Sequence, residues 1–234
     1  SKGSSSHVSH LMRFIDFPKF DFRTQVQQFA QSPSFKDGRN LRDYQVTGLN
    51  WLLRNWSIGR NSILADDMGL GKTIQVISFL HTLVNTYKQR GPYLVIAPLS
   101  TLAHWKQIIE DWTLLNCVLY HDMNGSEGRE VCADFETYYV DVMKRGGTSV
   151  KSKLVKFHIM ITSFEVFMQD YEKLFTSIPF QLIAIDEAHR LKNKQAKIIS
   201  FLRKMPCRRY ILMTGTPLQN NTEELWSLLN FIEP

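Results

Sequence analysis

One glycine-containing segment, ADDMGLGKT at residues 65–73, constrains the fold of this chain most strongly. It lies between a short apolar stretch, residues 62–65, and a stretch starting at Lys72 in which apolar residues recur at helical spacing. A strand that turns through glycines into a helix presents backbone N–H groups to an anion, and this arrangement is typical of phosphate-binding loops. The segment therefore predicts a nucleotide-binding α/β domain, and the alternative is an ordinary glycine-rich turn.

The segment departs at one position from the usual phosphate-loop pattern, G-x-x-x-x-G-K-[ST]. Counting back from Gly71 places the first glycine at position 66, where this chain has aspartate. The remaining chemistry is present, because Gly69 and Gly71 allow the backbone to approach a phosphate closely. Lys72 can reach the outer phosphates of a nucleotide, and the Thr73 hydroxyl can bind Mg²⁺. We therefore expect a site for ATP and Mg²⁺ despite Asp66.

Short apolar strands alternate with longer helices after Leu41. Strands are predicted at 62–65, 93–97, 117–120, 157–162, 180–185 and 209–213, and helices at 46–56, 72–89, 102–112, 164–174, 194–204 and 222–232. This alternation indicates an α/β fold in which a parallel sheet is covered by helices on both faces. Functional groups in such folds collect at the carboxyl ends of the strands.

Two segments fall outside this alternation. Residues 1–40 begin with small polar residues and continue with scattered phenylalanines, which predicts a flexible or lead-in segment before a domain at 41–234. Residues 121–156 are polar and end rich in glycine and lysine, so we expect a surface insertion whose middle, 129–143, is helical.

Composition narrows the class of protein. Of the 234 residues, 44% are hydrophobic and 21% are charged, which is typical of a globular chain. The net charge of +6 is compatible with a polyanionic partner. Cys117, Cys132 and Cys207 are far apart, so neither a disulfide framework nor a zinc site is expected. The scattered cysteines favour a reducing, intracellular compartment. Since no apolar run approaches membrane-spanning length, we expect a soluble protein without a membrane partner.

A second candidate for metal and water chemistry is the segment DEAHRLKN, which follows a predicted apolar strand. Its first acid, Asp186, should face the same sheet edge as the glycine loop, where the Mg²⁺ of Mg·ATP needs an outer ligand. The adjacent Glu187 can orient, or accept a proton from, the water that attacks the γ-phosphate. Alone, the pair could equally be a helix N-terminal cap. Together with the glycine loop it predicts nucleotide hydrolysis, with Lys72, Asp186 and Glu187 as the catalytic residues.

A third motif, LMTGTPLQNN, completes a family pattern. With it, residues 41–234 resemble the first motor lobe of the Swi/Snf group of helicase-like ATPases, the chromatin remodellers. The resemblance implies a RecA-like lobe that binds ATP and Mg²⁺, with double-stranded DNA and nucleosomes as partners and a nuclear location. It also accounts for Asp66, because the family usually carries an acidic residue there, as in DEMGLGKT. The remaining departure is Asp67, where glutamate is usual.

The resemblance implies roles for further residues. Gln45, in LRDYQ, would read the adenine edge, although a simple helix start also explains that motif. The residues implied in nucleotide binding, besides Gln45, are Asp67, Met68, Gly69, Leu70, Gly71, Lys72 and Thr73. Candidate DNA contacts are Ser100 and Thr101 in APLSTLAHW, Thr162 and Ser163 in ITSFE, and Lys192. The motif that couples nucleotide state to DNA grip would contain Thr214, Gly215 and Thr216.

Alternatives remain open for these motifs. Ser100 and Thr101 could serve as helix caps, and residues 215–217 could form a β-turn. Within the group the chain is most similar to the CHD (chromodomain helicase DNA-binding) type, through Arg129, Phe135, Glu136 and Tyr138. The rival interpretations are a repair or imitation-switch translocase, a nucleotide- or DNA-binding module without turnover, and an RNA helicase. We expect the isolated lobe to be weakly active or inactive, because the second lobe would supply the arginine finger.

Overall fold

Parallel β-structure forms the centre of the molecule. The computed structural model describes residues 26–121, 129, 138–141, 150–193, 195–207, 209–215 and 222–232. The strands are β1 Ser62–Leu64, β2 Tyr93–Ala97, β3 Cys117–Tyr120, β4 Tyr138–Asp141, β5 Val150–Val155, β6 Ile159–Ser163, β7 Leu182–Ile185 and β8 Tyr210–Met213. Six of them form one sheet in the order β1-β8-β7-β2-β6-β3, and every pairing in it is parallel. The predicted α/β fold with a parallel sheet is confirmed.

Helices connect the strands of this sheet. They are α1 Asp43–Ser57, α2 Lys72–Asn85, α3 Leu102–Trp112, α4 Phe164–Gln169, α5 Arg190–Asn193, α6 Gln195–Lys204 and α7 Thr222–Ile232. Short 3₁₀ turns lie at Lys36–Gly38, Leu99–Thr101 and Phe175–Ser177. Within the part of the chain that the structure describes, no helix has both the length and the apolar character needed to span a membrane.

The strands contribute side chains to two separate hydrophobic cores. On β2, Leu94 and Ile96 belong to one core, while Val95 and Ala97 belong to the other. This division follows from the pleat of a strand, in which successive side chains point to opposite faces. Residues of α1, α2 and α3 pack in the core that contains Val95, and residues of α4, α6 and α7 pack in the core that contains Leu94. Helices therefore cover both faces of the sheet, as the sequence predicted.

The segments that leave the strands are tied together at the carboxyl edge of the sheet. The backbone N–H of Asp186, just past β7, donates to the carbonyl of Ile96 on β2 at 2.8 Å. The backbone N–H of Thr214, just past β8, donates to the carbonyl of Leu64 at the end of β1 at 3.0 Å. The first bond ties the chain after β7 to β2, and the second places the chain after β8 beside the start of the glycine loop.

The described part of the lead-in segment packs on the first helical layer. The backbone of Phe29 exchanges two hydrogen bonds of 2.8 Å with the side-chain amide of Asn50 on α1. Phe35 is buried, and its ring lies 5.5 Å from the ring of Trp112 at the end of α3. Residues 26–40 therefore form part of the folded lobe.

The helix predicted at 129–143 is wrong over residues 138–141, which form β4. This strand pairs antiparallel with β5, so that Tyr138 lies opposite Val155 and Asp141 opposite Val150. The sequence Tyr138-Tyr139-Val140 is aromatic and β-branched, and such residues favour a strand once a partner strand is available. Phe135 and Glu136, two of the residues that suggested CHD-type likeness, lie outside the described residues.

Two predicted helices end earlier than expected. The helix predicted at 72–89 ends at Asn85, and the nearby Lys88 has a left-handed backbone with φ +58° that no helix accommodates. The helix predicted at 164–174 ends at Gln169, and Asp170 follows it as a buried residue.

Asp170 joins the insertion to the lobe. Its Oδ2 accepts hydrogen bonds from Tyr120 Oη at 2.7 Å and from Arg129 Nε at 2.8 Å. All three residues are buried. Arg129 is therefore an anchor of the 121–156 insertion in the core.

Candidate nucleotide-binding site

The glycine loop lies between the end of β1 and the start of α2, as predicted. Gly69 and Gly71 have φ values of +85° and +76°, in the left-handed region that side chains disfavour. Space is also restricted at Gly71, because a β-carbon there would lie 2.6 Å from Nε2 of Gln45. Both glycines are therefore required by the backbone path, independently of any ligand.

Lys72 is bound to the loop that precedes it. Its Nζ donates to the backbone carbonyls of Asp66 at 2.6 Å and Asp67 at 3.0 Å. These acceptors are uncharged, so they fix the ammonium at the loop while leaving it a full positive charge. A cation held in this position at a helix N-terminus is suited to a phosphate.

Asp186 is held by hydrogen bonds to both carboxylate oxygens. Its Oδ2 accepts from Trp105 Nε1 at 2.9 Å, and its Oδ1 accepts from the backbone N–H of Glu187 at 3.0 Å. Burial raises the pKa of Asp186, while the bond from Trp105 and the positive charge of Lys72 act in the opposite direction. Asp186 thus lies just past β7, at the sheet edge where the sequence predicted it, with its carboxylate fixed by two hydrogen bonds.

The residues at this edge fit Mg²⁺. Thr73, in the first turn of α2, offers a hydroxyl oxygen, and each Asp186 oxygen retains a lone pair beyond its one hydrogen bond. Mg²⁺ prefers such hard oxygen ligands and is typically held by one or two protein groups together with nucleotide phosphates. Among the described residues, His, Cys, Asp and Glu side chains form no group of three or more that could hold a metal ion by themselves.

Glu187 adopts a constrained backbone conformation. Its φ is +49°, which is uncommon outside glycine and costs on the order of 1–3 kcal/mol. Its Oε2 lies 3.2 Å from Nδ1 of His189, and both side chains are about 28–29% exposed. The backbone N–H of the intervening Ala188 donates to the carbonyl of Met213 at 2.7 Å, which fixes this turn against β8. The Glu187 carboxylate is therefore accessible and held in position.

Trp105 is a site residue that the sequence analysis missed. It was part of the segment assigned to DNA, yet its side chain is fully buried and its indole N–H bonds to Asp186. The sequence did contain a signal for such a contact, because a buried tryptophan usually requires a hydrogen-bond acceptor for its indole N–H. Which carboxylate supplies that acceptor depends on how α3 packs against the sheet, because Trp105 and Asp186 are 81 residues apart in sequence.

Gln45 lies beside the loop, buried on α1. Its Oε1 accepts from the backbone N–H of Arg42 at 3.0 Å, and its Nε2 donates to the carbonyl of Leu70 at 3.4 Å. The first bond stabilises the N-terminus of α1, which supports the interpretation of LRDYQ as a helix start. The second bond places Gln45 against the nucleotide-binding loop.

The alternative interpretation of Ser100 and Thr101, as residues whose side chains cap α3, does not hold at Thr101. Thr101 is the residue before α3, but no hydrogen bond from α3 reaches its side chain. Its hydroxyl instead donates to the carbonyl of Pro98 at 2.9 Å. Ser100 lies on the 3₁₀ turn and is exposed, so it remains accessible to a phosphate.

Burial separates the other DNA candidates from Ser100. Thr162 is 0% and Ser163 1% exposed, and the Ser163 hydroxyl caps α4 by accepting from the backbone N–H of Val166 at 3.2 Å. Neither hydroxyl is accessible to a phosphate in this structure, so we leave both out of the proposed DNA surface. Lys192 lies on α5, and its side chain falls outside the described residues.

The predicted coupling motif contacts the glycine loop. Thr214 and Gly215 are buried immediately after β8. A β-carbon on Gly215 would lie 2.9 Å from Cγ of Met68, so the two segments touch. Thr216 lies outside the described residues.

A family model described as the SNF2-related domain matches residues 44–234, most of the chain. The chain belongs to this family. The SNF2-related domain includes the glycine loop, Asp186, Glu187 and Trp105, so the candidate site falls wholly inside the matched region.

Several curated proteins resemble this SNF2-related domain, and they carry the name chromodomain-helicase-DNA-binding protein. Protein 9 of Mus musculus is 44% identical over 95% of this chain and 7% of its own length. Protein 7 of Homo sapiens is 47% identical over 87% of this chain and 6% of its own length. Protein 8 of Xenopus tropicalis is 43% identical over 90% of this chain and 9% of its own length. The predicted likeness to CHD-type remodellers is confirmed, and the chain spans less than a tenth of these relatives.

A solved structure gives the same result for the fold. The SWI2/SNF2 ATPase core of Sulfolobus solfataricus, in complex with double-stranded DNA, matches with a TM-score of 0.69 and 29% identity. The match covers 89% of this chain and 38% of that chain. The predicted RecA-like lobe of an SNF2-type ATPase is confirmed.

Proposed function

We propose that this chain is the ATP-binding motor lobe of a helicase-like translocase that moves double-stranded DNA on nucleosomes. The observation that carries the proposal is that Lys72, bound to the loop carbonyls after β1, and Asp186, just past β7, both lie at the carboxyl edge of one parallel sheet. Phosphoryl transfer to water requires this pairing of a phosphate-binding cation with a metal-binding acid.

Each residue of the site has a role in this proposal. The loop amides and Lys72 bind the phosphates, and Glu187 orients the attacking water or accepts its proton. Thr73 and Asp186 would hold Mg²⁺, which neutralises charge on the phosphate oxygens when bound. Gln45 would read the adenine edge by exchanging its bond to the Leu70 carbonyl, which at 3.4 Å is long.

DNA binding in this proposal is electrostatic and independent of sequence. Support comes from the exposed Ser100, the net charge of +6 and the solved SWI2/SNF2 core in complex with double-stranded DNA. Hydroxyls, amides and lysines contact phosphates without reading bases. We expect weak binding by this lobe, a steep dependence on salt concentration, and stronger competition from duplex DNA than from duplex RNA.

We propose a nucleosomal substrate and a nuclear location, with support from the names of the relatives. Proteins named chromodomain-helicase-DNA-binding are 43–47% identical to this chain. We infer that the longer protein containing this lobe acts on chromatin.

The test is the rate of ATP hydrolysis with and without duplex DNA, for this chain and for a chain extended through a second motor lobe. The extended protein should be strongly stimulated by DNA, and Glu187→Gln should abolish most of its turnover while keeping ATP binding. This chain alone should barely respond, because an arginine finger from outside it contributes about 10³ to 10⁵ in rate. Robust DNA-stimulated turnover by residues 1–234, lost on Glu187→Gln, would contradict the two-lobe mechanism.

A further inference from the structure

The unusual aspartate of the glycine loop has a specific partner. Oδ2 of Asp66 accepts a hydrogen bond of 3.0 Å from Nε2 of Gln75. Gln75 lies one turn into α2 and is only 1% exposed. A buried amide on the helix after the loop thus holds the residue that begins it, at the position where the strict phosphate-loop pattern has glycine.

Gln75 is itself confined by α1. A β-carbon on Gly48 would lie 1.9 Å from Oε1 and 2.9 Å from Cδ of Gln75, so any larger residue at position 48 would displace this amide. The same helix reaches the other end of the loop, where Nε2 of Gln45 donates to the carbonyl of Leu70 at 3.4 Å. Helix α1 therefore supports the loop near both ends.

Asp66 also determines where the phosphate-binding cation lies. Its backbone carbonyl accepts the 2.6 Å hydrogen bond from Nζ of Lys72, while its side chain is held by Gln75. A movement of Asp66 would therefore shift an acceptor that fixes the Lys72 ammonium.

We propose that Asp66 and Gln75 form a clamp that sets the shape of the phosphate loop, which makes both of them positioning residues for Mg·ATP. The inference rests on the proposed nucleotide site. In strict phosphate loops a glycine accommodates the turn at this position. Here the hydrogen bond between Asp66 and Gln75 holds the turn instead of a glycine, so the conformation of the loop depends on the aspartate.

The decisive substitution is Asp66→Gly, which restores the strict pattern. If the first glycine were simply missing, this variant would bind Mg·ADP as well as or better than the wild type. The clamp predicts the reverse, an affinity lower by about tenfold or more, because a loop no longer held by this hydrogen bond must be ordered when Mg·ADP binds. Gln75→Met should reproduce the loss without introducing a glycine into the loop. Asp66→Asn keeps an acceptor oxygen and should retain most of the affinity.

Two readouts separate this inference from the proposed function. Calorimetry gives the Mg·ADP dissociation constant, and amide hydrogen exchange over residues 66–72 without nucleotide reports the loop itself. Exchange should be faster in both Asp66→Gly and Gln75→Met, and unchanged in Gln107→Met, the same substitution at an exposed position of α3.

The outcomes are distinct. If the wild type does not bind Mg·ADP, the proposed function fails, and the exchange rates alone decide whether the clamp shapes the loop. Unchanged exchange in Gln75→Met, or Mg·ADP binding by Asp66→Gly at or above wild-type affinity, would overturn the clamp.

Discussion

The indole N–H of Trp105 donates a 2.9 Å hydrogen bond to Oδ2 of Asp186. Trp105 lies on α3, the helix that follows the exposed Ser100, and Asp186 lies at the end of β7. The bond therefore joins the segment proposed to face DNA to the carboxylate proposed to bind the metal. Packed and hydrogen-bonded connections of this kind can carry coupling between a nucleotide site and a DNA surface.

Trp105→Phe should weaken Mg·nucleotide binding while preserving the fold. Phenylalanine fills most of the apolar space but cannot donate to Asp186. Hydrogen bonds that orient a metal-binding side chain typically contribute about 10- to 100-fold to metal affinity, so the Mg·ADP affinity measured by calorimetry should fall about tenfold or more. The matched control is Trp112→Phe, on the same helix, where the ring packs on Phe35. Equal losses in both variants would mean that Trp105 acts only through packing.

Protonation of Asp186 should stabilise the chain in the absence of metal and nucleotide. Burial raises the pKa of Asp186 in the folded state above its ordinary value of 3.8, so the folded state binds the proton more tightly than the unfolded state does. The contribution of this group to the free energy of unfolding therefore rises as the pH falls from neutral through the folded-state pKa towards 3.8.

Asp186→Asn removes this titration and serves as the reference. Urea denaturation of both proteins between neutral pH and pH about 4 measures the effect. Relative to the variant, the wild type should gain stability as the pH falls. A difference between the two proteins that is constant with pH would contradict a raised pKa for Asp186.

The anchor of the insertion should be essential for stability. Asp170→Ala removes an acceptor shared by Tyr120 and Arg129 and leaves a buried guanidinium without its carboxylate. Breaking a buried ion pair in this way costs about 3–5 kcal/mol, whereas Tyr120→Phe, which removes one hydrogen bond, should cost about 1 kcal/mol. Urea denaturation measures both.

The control for this anchor is an arginine on the surface. Arg203 is exposed on α6 and donates to the carbonyl of Asn230, so Arg203→Met should change the unfolding free energy by less than about 0.5 kcal/mol. Arg129→Met should be far more destabilising than Arg203→Met. Similar values for these two variants would show that the buried anchor has no special role.

The sequence predicted the elements whose signals are local. Apolar runs, glycines and acids placed the loop, Lys72 and Asp186 at one sheet edge, because in a parallel sheet the carboxyl ends of the strands face the same way. The bonds from Trp105 to Asp186 and from Gln75 to Asp66 were not predictable in the same way, since they depend on how helices pack against the sheet.

Two other differences between the sequence-based predictions and the structure also arise from the way the elements pack together. Thr162 and Ser163 looked accessible because hydroxyl side chains suit phosphates, yet β6 lies inside the sheet between β2 and β3 and buries both. Residues 138–141 were assigned to a helix because the partner strand β5 lies in a segment without a clear apolar pattern. A strand of this kind is stabilised by its partner more than by its own sequence.

The most direct test of the account is calorimetric titration of Mg·ADP into the wild-type chain, Lys72→Ala and Lys106→Ala. Lys72 is bound to the loop carbonyls of Asp66 and Asp67, whereas Lys106 lies on the surface in an ion pair with Glu110. We predict measurable binding by the wild type and by Lys106→Ala, and an affinity at least about tenfold lower for Lys72→Ala, because a charge-assisted contact to phosphate is lost. Equal affinity in all three proteins would place the nucleotide elsewhere and contradict the proposed motor site.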